Sequence, residues 1–207
     1  YQGHHVIRGG LALEVDGHIF IQQTGLAKGG PAGQPVEVVA AIGHHELPIR
    51  QQHVEYPESA QLVAQGRKVL VLTERTEHLD AIQAELNDLQ PTPFVLHGRM
   101  SKKQRTTLVA SLDALPPDAP RVLLSTGKLV GEGFDHPPLD TLVLAMPVSW
   151  KGTLQQYAGR LHREHAGKTG VRIIDFVDTG HPALLRMWDK RQIGYRAMGY
   201  RLQPLAA

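Results

Sequence analysis

The sequence predicts an α/β protein with a mainly parallel sheet, preceded by a small β-rich segment. From Pro57 onward, short apolar runs typical of buried strands alternate with helical stretches. Before Tyr56 the chain has strand-like runs and a Gly/Pro-rich loop but no helical pattern. Hydrophobic residues make up 42% of the chain and charged residues 20%, as in an ordinary globular protein. We therefore expect residues 1–56 to be a β-rich arm, hairpin or end of a preceding domain, and residues 57–207 to be one α/β domain.

The first segment contains a hairpin pattern. Residues 11–22 form two strand-like runs around Asp16-Gly17, a pair typical of a tight turn because both positions tolerate positive φ. A loop rich in glycine and proline follows at residues 25–35, and another strand is predicted at residues 36–42.

The second segment alternates strands and helices. The run KVLVLT at residues 68–73 is continuously apolar, as in a strand that is buried on both faces. In residues 77–89 apolar side chains recur at spacings of three and four, which predicts an amphipathic helix. Further strands are predicted at 94–96, 121–124, 141–145 and 171–176, and further helices at 57–65, 101–112, 154–163 and 182–198.

Composition narrows the classes of function. The chain has no cysteine, which excludes disulfides and thiolate chemistry, and its formal net charge of +2 neither requires nor excludes a nucleic-acid partner. No apolar run approaches the roughly 20 residues that span a bilayer, and residues 1–10 do not resemble a signal peptide. We therefore expect no membrane contact and a cytoplasmic location. Because the chain begins with Tyr1 rather than methionine, we also expect that it was cut from a longer protein.

Small and acidic residues follow the strand predicted at 121–124. Ser125 and Thr126 come first, and the run GEGFD at residues 131–135 ends in Asp135. In open α/β sheets, ligands bind beyond the carboxyl ends of the strands. Hydroxyls beside glycines allow a phosphate to approach, and a carboxylate suits ribose hydroxyls. The alternative is a long connection that needs its glycines only to turn.

The helix predicted at residues 154–163 carries a cluster of polar residues. Gln156, Gly159, Arg160 and Arg163 are spaced so that all four lie on one helix face. Glycine costs about 1 kcal/mol relative to alanine inside a helix, and here it would permit another surface to approach closely. The planar guanidinium fork suits phosphate oxygens and a transferring phosphoryl group. The alternative is a solvated basic face with an incidental glycine.

Together these residues resemble superfamily 2 helicases of the DEAD/DEAH type. The pattern Gln-x-x-Gly-Arg-x-x-Arg at residues 156–163 resembles motif VI, and residues 125–135 resemble motif V. The run VLVLTER at residues 69–75 resembles motif IV, and LHGR at residues 96–99 resembles motif IVa. Their order is that of the family's C-terminal RecA-like domain. Within the family, the motifs most resemble those of restriction-enzyme motors and XPB-like helicases.

The resemblance implies a parallel RecA-like fold and the second motor domain of an ATP-dependent helicase or translocase. Such a domain would act with an N-terminal RecA-like domain that carries the P-loop and holds most of the ATP and Mg²⁺. It would also contact the backbone of DNA or RNA with little sequence specificity. The resemblance assigns catalysis to Arg163 as the arginine finger, with Arg160 and Gln156; nucleotide contacts to Gly133, Asp135 and Gly159; and nucleic-acid contacts to Arg75, Gly98, Arg99, Ser125 and Thr126.

The chain has no P-loop of its own. The triplet Gly167-Lys168-Thr169 imitates the end of one, but His162 stands where the first glycine is required, and a turn before a strand is the expected structure. The glycine-rich loop at residues 25–33 also lacks a Gly-Lys-Ser/Thr ending. We therefore expect an enzyme only when this chain is part of a complete motor, and no ATP turnover by the chain alone.

Histidines and tryptophans offer weaker candidates. No metal site is expected, because His162 and His165 lie beside arginines and residues 44–46 (HHE) have no clear further ligand. Trp150 follows a predicted strand and is a candidate for stacking on bases, whereas Trp188 is expected to pack internally.

Two rival functions remain open from the sequence. One is a non-catalytic nucleic-acid-binding or adaptor module with a RecA-like fold. The other is an unrelated α/β enzyme whose loops bind a different phosphate ligand. ATPase assays on a protein that also contains the P-loop domain distinguish the motor from the first rival.

Overall fold

The computed structural model describes residues 4–7, 10–15, 18–22, 36–43, 57–127, 134–149, 153–178 and 181–204. The chain divides into two compact units. The central unit comprises Glu55–Ala145 and Gln156–Lys168, and the flanking unit comprises Tyr1–Val54, Met146–Gln155 and Thr169–Ala207. In chain order the described elements are β1 (His4–Ile7), β2 (Gly10–Val15), β3 (His18–Gln22), β4 (Val36–Gly43), α1 (Pro57–Ala64), β5 (Lys68–Thr73), α2 (Thr76–Glu85), β6 (Phe94–Leu96), α3 (Lys102–Asp113), β7 (Arg121–Thr126), β8 (Thr141–Leu144), α4 (Gln155–Leu161), β9 (Val171–Asp178), α5 (Pro182–Ala197) and β10 (Arg201–Pro204).

The central unit contains four parallel strands in the order β8-β5-β7-β6. All six residues of β5 are buried, which explains why this strand is apolar at successive positions rather than at alternate ones. Helix α2 buries Leu79 and Ile82, as its spacing predicts. Helix α3 begins at a capping box, in which Ser101 Oγ accepts from Gln104 N at 3.2 Å and Ser101 N donates to Gln104 Oε1 at 2.8 Å.

The flanking unit contains a parallel group and an antiparallel one. Strand β4 lies between β10 and β9 and is parallel to both. Strands β1, β2 and β3 form an antiparallel sheet, with the hairpin pairing of β2 and β3 where the sequence predicts it. The pairing of β4 with β9 was not anticipated from the sequence, since it connects the first segment with the second. The interpretation of residues 1–56 as an arm or the end of a preceding domain stays a prediction.

Several element boundaries differ from the predicted ones. Helix α2 ends at Glu85 rather than residue 89, because Leu86 begins a turn in which Leu89 N donates to Leu86 O at 3.0 Å. Strand β7 continues to Thr126, β9 continues to Asp178, and β10 was not predicted. Helix α4 ends at Leu161, before Arg163. Among the helices that the structure describes, none combines the length and apolar character needed to cross a membrane.

Candidate functional site

The carboxyl ends of β5, β6 and β7 lie side by side. Thr73 is aligned with Thr126, and Leu96 is aligned with Ser125, so the three parallel strands end at the same edge of the sheet. Loops at this edge are where open α/β sheets bind ligands. The predicted nucleic-acid contacts that leave or end these strands form what we call the strand-end patch: Arg75, Gly98, Arg99 and Thr126.

Both arginines of the strand-end patch are exposed and have carboxylate neighbours. Arg99 Nη2 lies 3.0 Å from each carboxylate oxygen of Asp80, and Arg75 Nη2 lies 3.9 Å from Glu77 Oε2. Exposed ion pairs of this kind stabilise a protein by only about 0–1 kcal/mol. A phosphate could therefore compete for either guanidinium. Gly98, beside Arg99, is exposed, and a Cβ built on it would meet no atom within 4 Å.

Ser125 and Thr126 are the last residues of β7 rather than part of the loop that follows. Ser125 is fully buried, and its hydroxyl donates to the carbonyl oxygen of Thr126 at 3.2 Å. Thr126 is half-buried. Of the two, Thr126 is the one whose side chain reaches the surface, and a nucleic-acid contact by Ser125 would require its hydroxyl to leave the interior.

Asp135 lies at the opposite end of the strands from Ser125. The next residue, His136, accepts a hydrogen bond at its Nε2 from Nη1 of Arg121, the first residue of β7, at 3.0 Å. The sequence-based placement of Asp135 beside the carboxyl ends is thus wrong, because the connection from β7 returns to the start of that strand before β8. Gly133, the other predicted nucleotide contact in this connection, lies outside the described residues.

Asp135 and Arg163 form an ion pair. Arg163 Nη1 lies 3.3 Å from Asp135 Oδ2, with 51% of the arginine side chain and 35% of the aspartate side chain exposed. The structure therefore brings together the two residues that the sequence analysis assigned to the γ-phosphate and the ribose. Both retain surface that a ligand could reach.

A buried network fixes the backbone beside Asp135. The Arg121 side chain is 1% exposed and donates to His136 and to main-chain carbonyls, and His136 Nδ1 lies 3.1 Å from Asp113 Oδ1. His136 fits as a neutral ring that donates from Nδ1 to Asp113 and accepts at Nε2. Burial lowers the pKa of His136, the hydrogen bond to Asp113 opposes that shift, and the Arg121 charge adds to it. The carbonyls that Arg121 also reaches are those of Leu112, Pro116 and Ala119.

Helix α4 carries three of the four residues that were predicted to share one of its faces. Gln156, Gly159 and Arg160 lie within it, but Arg163 lies beyond its last residue, Leu161. The prediction of a single helical face is therefore wrong for Arg163. Gln156 and Gly159 are exposed and Arg160 is half-buried. A Cβ built on Gly159 would meet no atom within 4 Å, so packing within this chain does not require the glycine.

The buried side of α4 contacts Gly127, the residue that follows β7. Tyr157 is 4% exposed, and a Cβ built on Gly127 would overlap its hydroxyl group and lie 3.0 Å from its Cζ. Only glycine therefore fits at residue 127 while the tyrosine keeps its place. Burial raises the pKa of Tyr157, and the carboxylate of Glu74 raises it further.

Sequence reasoning missed the functional interest of some buried polar residues. Lys168, in the triplet interpreted as a turn, is 4% exposed, and its Nζ donates to the carbonyl oxygens of Leu161 and Arg163 at 2.7 Å each. A lysine five residues after the Gln-x-x-Gly-Arg-x-x-Arg pattern was the available signal, but a charged residue is ordinarily expected at the surface. His136 was passed over in the same way.

The remaining residues considered in the sequence analysis are the histidines, as metal ligands, and the two tryptophans. In the part of the chain that the structure describes, no three His, Asp or Glu side chains cluster as metal ligands would. Trp188 is buried and packs against Tyr195, with ring centroids 6.4 Å apart. Trp150 and residues 44–46 lie outside the described residues.

Comparison with known proteins identifies similar sequences and folds. The family model described as the helicase conserved C-terminal domain matches residues 53–165. Uncharacterized protein 108L of Invertebrate iridescent virus 3 is 37% identical over 98 residues, which cover 47% of this chain and 88% of that protein. Probable helicase D10 of Escherichia phage T5 is 27% identical over 154 residues, which cover 72% of this chain but only 33% of that protein.

Solved structures support the fold. T4 UvsW superimposes with a TM-score of 0.58 at 15% identity, covering 81% of this chain and 40% of that one. The E. coli DEAD-box protein SrmB, in its structure with regulator of ribonuclease activity A, gives a TM-score of 0.56 at 16% identity and covers 84% of this chain and 92% of that one. These likenesses confirm the predicted RecA-like α/β fold.

Proposed function

Because the chain belongs to the family of helicase conserved C-terminal domains, we propose that it is the second motor domain of an ATP-dependent nucleic-acid helicase or translocase. Its role would be to supply the arginine finger, Arg163, and contacts to a nucleic-acid backbone. The observation that carries the proposal is the ion pair of Arg163 with Asp135, which holds an exposed guanidinium beside a carboxylate. The partner would be an N-terminal RecA-like domain that carries the P-loop.

ATP with Mg²⁺ would be held mainly by that partner domain, and the bound nucleotide would supply the phosphoryl group that is transferred to water. In this chain, Arg163 would exchange Asp135 for oxygens of the γ-phosphate and stabilise charge in the transition state. The carboxylate of Asp135, once released, could accept hydrogen bonds from a ribose hydroxyl. Arg160 and Gln156 lie on the preceding helix and would face the same nucleotide, while Gly159 would let it approach.

Nucleic acid would bind at the opposite end of the strands. Arg75 and Arg99 are exposed there, Gly98 leaves its neighbourhood open, and Thr126 is the surface hydroxyl of β7. Contacts of this type are made to phosphates, so they position the chain without reading sequence. With ATP and nucleic acid at opposite ends of the strands, both ligands could be bound at the same time, as a motor requires.

The arginine-finger role is tested in a protein that joins this chain to its P-loop domain. Arg163→Ala should lower nucleic-acid-stimulated kcat on the order of 10³-fold or more, with KM for ATP little changed, because the finger acts on the transition state. Arg186→Ala removes an exposed arginine of α5 and serves as the matched control, with kcat expected to stay within about twofold. Normal turnover by Arg163→Ala would refute the assignment.

The strand-end patch is tested by binding of a single-stranded oligonucleotide at several salt concentrations. Arg99→Ala should weaken binding and reduce the slope of log affinity against log salt by about one. Asp80→Asn removes the carboxylate that now holds Arg99 and should instead tighten binding. If both variants bind like the unaltered chain, Arg99 does not contact the backbone.

The chain contains no G-x-x-x-x-G-K-[ST] motif, which fits a second motor domain and equally fits a second candidate, a non-catalytic nucleic-acid-binding or adaptor module. The two candidates differ in the ATPase experiment. A module would bind the oligonucleotide with the same salt response, but Arg163→Ala would leave the ATPase of the joined protein unchanged.

A further inference from the structure

The ammonium group of Lys168 closes the carboxyl end of α4. Its Nζ donates to the carbonyl oxygen of Leu161 and to that of Arg163, at 2.7 Å each. The last carbonyls of a helix have no partners within the helix, so they need donors from elsewhere. Lys168 provides these donors from beyond the helix. Its own main chain is held by the bond from Lys168 N to His165 O at 3.0 Å.

The hydrogen bond from Lys168 matters for Arg163 because Arg163 lies beyond Leu161, the last residue of α4. The regular hydrogen bonds of α4 no longer fix its main chain, whereas the bond from Lys168 does. Its guanidinium is held at the other end by Asp135, at 3.3 Å. Arg163 is thus held from both sides, by an ammonium at its carbonyl and by a carboxylate at its side chain.

We propose that Lys168 is a positioning residue, which fixes the main chain of Arg163 so that its guanidinium meets the γ-phosphate. The inference rests on the proposed function of Arg163. Lys168 itself would touch neither ATP nor nucleic acid. Its contribution would appear as loss of transition-state stabilisation by Arg163, since a misplacement on the order of 1 Å can cost about 10²-fold in rate.

The surroundings of Lys168 suggest a role beyond stability. Burial lowers the pKa of Lys168 to about 8, the carboxylates of Asp140 and Asp135 oppose the shift, and the charge of Lys68 adds to it. A buried charge is costly unless it is paired or hydrogen-bonded, and here the ammonium group donates to two carbonyl oxygens. An ammonium at this position is explained more directly by the geometry it imposes on two carbonyls than by the energy of its burial.

The test is a double-mutant cycle in the protein that joins this chain to its P-loop domain. Lys168→Met keeps the apolar stem but removes the donors, and it should lower kcat by about tenfold to a hundredfold with KM for ATP within about twofold. The decisive variant is Lys168→Met combined with Arg163→Ala. Its kcat should equal that of Arg163→Ala alone within about twofold, because Lys168 would act only through the arginine.

Lys68→Met is the matched control. Lys68 is also a buried lysine of the central unit, and its Nζ lies 3.8 Å from Asp140 Oδ2. Any loss of kcat that it causes by weakening the fold should multiply with that of Arg163→Ala, as expected for independent sites. Should Lys168→Met not fold, Lys168→Gln takes its place in the cycle. Its side chain is neutral and shorter than that of lysine, and the kcat of the double variant is again compared with that of Arg163→Ala alone.

The outcomes separate this inference from the proposed function. If Lys168→Met slows Arg163→Ala by the same factor as it slows the unaltered protein, the lysine acts independently of the finger and the positioning role is overturned. A kcat for Lys168→Met equal to that of the unaltered protein would overturn it as well. If Arg163→Ala itself leaves kcat unchanged, the proposed function fails, and the inference fails with it.

Discussion

Replacement of Arg191 by methionine should strongly destabilise the flanking unit. Arg191 and Asp175 are 1% and 0% exposed, and the arginine donates to the two carboxylate oxygens at 2.7 and 3.0 Å. Nη1 of Arg191 also donates to the Val148 carbonyl at 3.1 Å. Arg191→Met would leave the buried carboxylate with only the Tyr195 hydroxyl, at 2.7 Å, among these partners. Loss of one partner of a buried ion pair typically costs about 3–5 kcal/mol.

The loss should depend on pH. Burial raises the pKa of Asp175, and the charge and hydrogen bonds of Arg191 counteract the shift. Without Arg191 the pKa would rise further, so the carboxyl group would be protonated over a wider range of pH. The variant therefore loses stability as pH rises through that raised pKa, and its deficit relative to the unaltered chain should be larger at pH 8 than at pH 5.

Urea denaturation at both pH values, followed by circular dichroism, measures the effect. In a thermal melt the same loss corresponds to a fall in Tm of roughly 6–20 °C, at about 2–4 °C per kcal/mol for a chain of this size. Arg186→Met, on an exposed position of the same helix, should change stability by no more than about 0.5 kcal/mol. Arg191→Met with Asp175→Leu should recover most of the loss. A deficit below about 1 kcal/mol, or an equal deficit at both pH values, would refute the reasoning.

Two further predictions concern the central unit. Gly127→Ala should lower stability by about 1–3 kcal/mol, because the added Cβ overlaps the Tyr157 hydroxyl. Tyr157→Phe should recover part of that loss in a thermal melt, and an unchanged Tm for Gly127→Ala would contradict the contact. His136 has a pKa below its usual value of 6.5, so the unfolded chain binds more protons than the folded one, and stability should fall as pH drops below 6.5. His136→Gln should flatten this fall in denaturant titrations between pH 7 and 5, and parallel curves for the two proteins would count against the buried neutral ring.

The sequence predicted the order and type of the main elements because their patterns are local. The continuously apolar β5 and the spacing in α2 are each determined by residues close in the chain. The hairpin around Asp16-Gly17 is predicted for the same reason. Strand partners are not local, so nothing in residues 36–42 indicates that β4 pairs with β9, which lies far along the chain.

The candidate site was predicted less completely than the fold. Residue spacing placed Arg163 on the face of Gln156 and Arg160, but spacing does not reveal where a helix ends. At the end of α4 the carbonyl of Leu161 accepts a hydrogen bond from Lys168, a contact that helical periodicity does not contain. Burial of charged side chains such as Arg121 was missed for a related reason, since it depends on partners from separate parts of the chain.

The strand-end patch and the Arg163–Asp135 ion pair lie at opposite ends of the strands, and α4 has a contact near each of them. At one end, Tyr157 packs against Gly127, which follows Thr126 of the strand-end patch. At the other, Lys168 holds the end of the helix together with Arg163. Close-packed interiors transmit displacements rather than absorb them, so a shift of Thr126 large enough to move Gly127 must also displace Tyr157. The helix that carries the motif VI pattern therefore packs between Gly127 and Lys168, and coupling of bound nucleic acid to the proposed arginine finger would require such contiguous packing.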